Sequence, residues 1–254
     1  MLAFALTQLA SFPAPEISFL VIGVQISFSI DFNTIITILT AILAAAGMDW
    51  LIDSHPLKAS YHTHWHHVRH WIVPVLTTLV IGVALNTFAG EMIWWVIYAF
   101  GSLLLTAVFI SEYNVIAVDQ NLNHPLATVG LTGLSFALYL LLAITVYTID
   151  LRLVFRLPIL GVGALMVVSR TLYLRTGKWQ LMWSVITSVI ISQIVIAFQY
   201  LPLNATQFGV ILVGAAYALT SFVTAIKESR EKWALWAEPL AMLVIIALVS
   251  LVWR

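Results

Sequence analysis

The sequence predicts an all-α fold, a polytopic transmembrane helix bundle of about eight spans, and three observations carry that expectation. Hydrophobic residues make up 62% of the chain and charged residues only 9%, with a mean hydropathy of +1.03, whereas ordinary soluble domains are about a quarter charged. Apolar runs of about 18 to 22 residues, the length that a bilayer core demands of a helix, recur along the chain. Tryptophans gather at the ends of those runs, where an amphipathic ring favours the membrane interface.

Taken in order, residues 1–31 read as an extended lead-in lying on the surface. The first ten residues are apolar but carry no basic cluster of the kind that opens a cleavable signal, so they are expected to stay in the mature chain. Pro13 and Pro15 follow, and residues 24–31, VQISFSID, alternate with period two as a half-buried extended segment does. The apolar runs then occupy 33–52, 71–89, 92–111, 126–148, 158–175, 180–200, 206–226 and 233–253. They form one integral membrane domain over 1–254, with the bundle at 33–253. Turn and cap signals separate them, among them Asn86 to Gly90, Asn123 to Pro125 and Leu201 to Asn204. Gly130 and Gly133, Gly161 and Gly163, and Gly214 with Ala215 and Ala216 are expected where helix backbones approach closely. Pro239, inside the last run, should kink its helix, because the ring removes the donor for the Leu235 carbonyl.

Lysine and arginine set the expected orientation, since basic residues are retained on the cytoplasmic side. Loops on the His-rich side carry Lys58, Arg69, Arg170, Arg175, Lys178, Lys227, Arg230 and Lys232. The opposite side carries Arg152, Arg156 and Arg254. Eight against three puts both termini outside and the loop from Asp53 to Arg69 in the cytoplasm, in the plasma (inner) membrane.

Eleven basic and eleven acidic residues cancel, so nothing points to a polyanion and nucleic acid is excluded as a partner. Cysteine is absent, which removes disulfides, thiolate metal sites and cysteine nucleophiles. Zinc-protease, P-loop, nucleophile-elbow and dinucleotide motifs are missing as well, so no cofactor is expected. The expected partners are the lipid bilayer and other membrane subunits.

Six of the seven histidines fall in residues 47–71, GMDWLIDSHPLKASYHTHWHHVRHW. His62, His66 and His70 are spaced i, i+4, i+8, which on a helix stacks them as a metal pair or triad would be stacked. His62-x-x-x-His66-His67 also resembles one histidine box of membrane desaturases, but the further boxes that complete such a diiron site are missing. The favoured reading is an interfacial helix running into the second span. On a helical wheel His62, Thr63, His66, His67, Arg69 and His70 fill one polar arc facing water and headgroups, while Trp65, Val68, Trp71 and Ile72 fill most of the other.

Four charged residues, distant in sequence, fall at nearly one depth of the inner leaflet: Asp49, Glu112, Arg170 and Glu238. Charges inside a span are costly and usually face the bundle interior in pairs. Arg170 needs a carboxylate, with Glu238 the first candidate by depth. Three acids against one base leave an excess to be protonated, hydrated or neutralised by a bound cation, proton or cationic headgroup.

Gly47-Met-Asp49-Trp50-Leu51, His55-Pro56, Arg69-His70-Trp71, Pro74, Glu112-Tyr113, Ser169-Arg170-Thr171-Leu172, Gln207-Phe208-Gly209 and Glu238-Pro239-Leu240 together resemble a family of uncharacterised bacterial polytopic membrane proteins, a domain of unknown function. The resemblance implies a fold and no activity. The function expected first is that of a non-catalytic accessory or scaffold protein. A carrier or sensor of a small cation, proton or lipid headgroup comes next, and a His-dependent metalloenzyme third.

Overall fold

The computed structural model describes residues 1–7, 16–21, 24–29, 31–54, 65–116, 124–149, 151–228, 233 and 236–244. The helices pack as two compact units, Met1–Ile116 and Ala117–Arg254. Seven helices among the described residues are long and apolar enough to cross a membrane, as expected of a polytopic helical protein. Each contains or closely overlaps one of the first seven apolar runs.

In the first unit a short helix α1 (Leu2–Leu6) precedes an antiparallel hairpin of β1 (Glu16–Val21) and β2 (Val24–Ser29). The alternating stretch falls on β2, so the extended reading holds there. The lead-in is otherwise less peripheral than expected. Phe4 of α1 is buried in a cluster with Ile36, Ile81, Leu85 and Trp94, because burying one aromatic side chain is enough to hold a single turn against α2.

Helices α2 (Phe32–Asp53), α3 (Trp65–Thr87) and α4 (Ile93–Ile116) complete the unit, with α3 packed on both of the others. Helix α3 starts six residues before its apolar run and α4 ends five residues beyond the third run. The helical start of α3 is the helix expected to run into the second span, whereas the polar end of α4 lies beyond its expected span. Gly90, at φ 85°, turns the chain between α3 and α4 in a backbone conformation that L side chains rarely adopt.

The second unit holds α5 (His124–Thr148), α6 (Leu153–Thr176), α7 (Leu181–Phe198) and α8 (Ala205–Lys227). Helix α5 packs on α6 and α8, and α6 also packs on α7 and α8. Gly177, at φ 68°, ends α6 in the left-handed conformation, and its N–H bonds the Tyr173 carbonyl. Asn204 starts α8 with a capping box: its side chain accepts from the Gln207 N–H, and the Gln207 side chain accepts from the Asn204 N–H. Residues 236–244 are helical through Pro239. The kink expected there rests on Leu235, and the rest of the eighth run on 245–253, all outside the described residues.

Small residues divide into two groups. A Cβ on Gly161 would lie 2.9 Å from Ser192 Oγ, one on Gly163 would lie 2.8 Å from Leu142 Cδ2, and Gly214, Ala215 and Ala216 are buried in α8. Those positions are close-packed as expected. Gly130 and Gly133 are not: a Cβ there meets nothing within 4 Å, and both are exposed. They lie on the outer face of α5, which spacing alone could not reveal. Gly209, whose Cβ would lie 2.8 Å from Ile144 Cγ1, and Gly82, whose Cβ would overlap the Thr37 side chain, are close approaches the sequence reading missed.

Candidate functional site: two histidine–carboxylate pairs on α3

The N-terminal part of α3 carries the sequence WHHVRHW, and its histidines decide what this end of the unit can do. His67 and His70 are three residues apart, so a helix puts them on one face. The His67 Nδ1–H donates to Asp49 Oδ1 of α2 at 2.6 Å, and the His70 Nδ1–H donates to Glu112 Oε2 of α4 at 2.8 Å. Helix α3 is thus tied to both neighbours through adjacent imidazoles. The two pairs differ in exposure. Glu112 and His70 are 0% and 2% exposed at their side chains, whereas Asp49 beside His67 is 33% exposed.

Burial on this scale corrects the helical-wheel reading for these two residues. The polar arc was expected to face water and headgroups, yet His67 and His70 are turned into the protein. The wheel takes no account of what stands opposite. With a carboxylate on each flanking helix, an inward imidazole makes a charge-assisted hydrogen bond in place of bonds to water. His62 lies outside the described residues, as does the side chain of His66. Among the described residues no group of three or more His, Cys, Asp or Glu could hold a metal ion.

Each carboxylate accepts from an Nδ1–H, which in the neutral imidazole leaves the lone pair on Nε2. A pair of neutral histidine and ionised carboxylate carries one negative charge. One added proton makes it neutral overall, whichever partner holds it. Arg69 on α3 and Tyr113 on α4 adjoin the pairs in sequence. Pro74, one turn beyond His70, has no N–H with which to bond the His70 carbonyl, a local break in the helix ladder beside the buried pair.

The other two expected site residues belong to the second unit. Arg170 is fully buried in α6, with its guanidinium 5.5 Å from the centre of the Tyr173 ring. Glu238 Oε1 accepts from Tyr217 Oη at 2.9 Å and lies 3.9 Å from Arg175 Nη1, itself 5.1 Å from the Tyr217 ring centre. Asp49 and Glu112 thus have histidine partners, and Glu238 has a tyrosine with an arginine 3.9 Å away. Sequence reasoning had counted only Arg170 as a base, because it had assigned the histidines to the outer face.

Arg156 was also misplaced. Counted as a loop charge, it lies buried within α6, donates to Gln199 Oε1 of α7 and stands 5.0 Å from the Tyr147 ring centre. Its position inside a helix that starts five residues before the apolar run was the missed signal.

Fold and site together define a class: a helical protein with candidate membrane spans, one of whose two histidine–carboxylate pairs is buried within them. Residues 12–254 match the family described as "Protein of unknown function (DUF5656)", and the chain belongs to that family. No curated protein and no solved structure matches it.

Proposed function

We propose that this protein is a proton-linked carrier in which the His70–Glu112 pair is the group that is loaded and unloaded. The observation that carries the reading is the burial of this pair, 2% and 0% exposed and joined at 2.8 Å, within candidate spans. An ionisable pair placed inside a membrane span marks a functional site by default. An accessory or scaffold role, alone or beside other membrane subunits, suits the lack of catalytic motifs but gives no reason for keeping a protonatable pair where an apolar contact would be at least as stable.

The test is proton flux in vesicles containing the purified protein and a trapped pH dye, driven by a potassium diffusion potential. Flux well above that of empty vesicles is expected, with loss in the folded Glu112→Gln and His70→Gln variants. Flux no greater than in empty vesicles overturns the reading. A pH-dependent change in tryptophan fluorescence without flux would assign the pair to sensing instead.

The proposed setting is a bacterial inner membrane, with both termini outside and the His-rich loop in the cytoplasm. The burial of Arg156 and Arg170 supports that orientation. Leaving out these two buried side chains turns eight against three into seven against two. Membrane-impermeant labelling of tags at Thr63 and the C-terminus tests it, and a C-terminus that labels only from the cytoplasmic side reverses it.

A further inference from the structure

The buried pair needs a way to exchange protons with the far side of the membrane, and the seam between α2 and α3 has the features of one. Three contacts fix the antiparallel register of this seam. Asn33 Nδ2 donates to Asn86 Oδ1 at 2.9 Å, Gly82 lies against Thr37, and Trp71 packs on the cluster of Met48 and Ile52. The residue numbers of Asn33 and Asn86, of Thr37 and Gly82, and of Met48 and Trp71 add to the same total, so the two helices stay in step along their length. From Asn33 to Asp49 the seam runs about 24 Å, close to the thickness of a bilayer core.

At the Asn33 end a small cleft of about 10 Å³ opens, room for about one water, lined by Thr7, Asn33, Thr37, Gly82, Asn86 and Trp94 among others. Beyond it the register puts Thr40 opposite Leu79, next to Thr78 and Thr77 in the α3 sequence, and all three threonines are buried. Each hydroxyl donates to a carbonyl of its own helix: Thr37 to Asn33, Thr40 to Ile36, Thr77 to Val73, and Thr78 to Pro74 and Val75. The donors are satisfied within the helix, and the hydroxyl oxygens keep lone pairs that can accept from water. Between these threonines and His70 the seam is apolar on the α2 side, where Ala44 and Met48 are buried.

We propose that the α2–α3 seam is the inlet through which water brings protons to His70–Glu112 from the Asn33–Asn86 end, and that the apolar section at Ala44 and Met48 closes it in the conformation described. Gly82 is where the inlet is narrowest, since any side chain there would overlap Thr37. The inference extends the carrier reading by naming its route. Among the described residues, the ionisable groups at the inner end are Asp49, Asp53, His67, Arg69, His70, Glu112 and Tyr113.

The absence of cysteine makes substituted cysteines clean reporters. Silver ion, small and water-borne, is applied to vesicles holding Thr37→Cys, Thr40→Cys or Leu39→Cys, and unreacted thiol is then counted by alkylation after denaturation. Leu39 neighbours Thr40 at the same depth but is exposed on the outer face of α2. Because the thiolate rather than the thiol reacts, the two seam positions should react about tenfold or more faster than Leu39→Cys. A Thr40→Cys no faster than Leu39→Cys overturns the inlet, even where proton flux is intact. Reactive seam cysteines in a protein that passes no protons would support the inlet and retire the carrier reading. Met48→Ala, which thins the apolar section, should raise proton leak several-fold, and an unchanged leak overturns the assignment of that section as the closure.

Discussion

The two units bury charge in opposite ways. In the first, the acids Asp49 and Glu112 are met by the imidazoles of His67 and His70. In the second, the buried bases Arg156 and Arg170 are set against an amide and aromatic faces, Gln199 with Tyr147 and Tyr173. A guanidinium keeps its charge at any accessible pH. Contacts of the first kind join an acid to a base, whereas those of the second kind include uncharged groups.

Breaking one contact of each kind sharpens the contrast. Glu112→Ala removes the fully buried acid and should cost about 3 kcal/mol, in the range for stranding one member of a buried pair. His70→Phe in the same chain should recover much of that loss, since the imidazole then needs no acceptor. Equal stability of the single and double variants would show that the pair is uncoupled. Arg156→Met should also destabilise, by about 2 to 3 kcal/mol. Its cost should stay flat from pH 5 to 9, since the lost charge does not titrate there, and a cost that varies over that range would erase the distinction between the units. Asp49→Asn, at a group one-third exposed, should cost less than about 1 kcal/mol. All three are read from denaturant-induced unfolding in detergent.

A smaller effect tests close packing within the second unit. Gly163→Ala and Gly209→Ala push a methyl against Leu142 and Ile144 and should cost about 1 to 2 kcal/mol through overpacking. Gly130→Ala and Gly133→Ala, which meet nothing within 4 Å, should instead gain up to about 1 kcal/mol from helix propensity. Thermal unfolding of the four variants in one detergent checks the difference in sign. Destabilisation by Gly133→Ala would mean that the outer face of α5 is packed after all.

The sequence by itself determined the class of the molecule and the place of seven spans. Hydropathy is a sum over neighbouring residues, so each apolar run announces its own helix. Gly90 and the Asn204 to Gln207 box announce their turns in the same local way. The span ends were misjudged where polar residues are helical, at the end of α4 and the start of α6, because a window average cannot anticipate a buried partner. Asp49, Glu112, Arg170 and Glu238 were legible as costly groups, but their partners were not. Asp49 meets His67 across 18 residues and Glu112 meets His70 across 42. Which imidazole turns inward is set by the register and crossing of three helices, and these depend on side-chain packing between segments that no local pattern records.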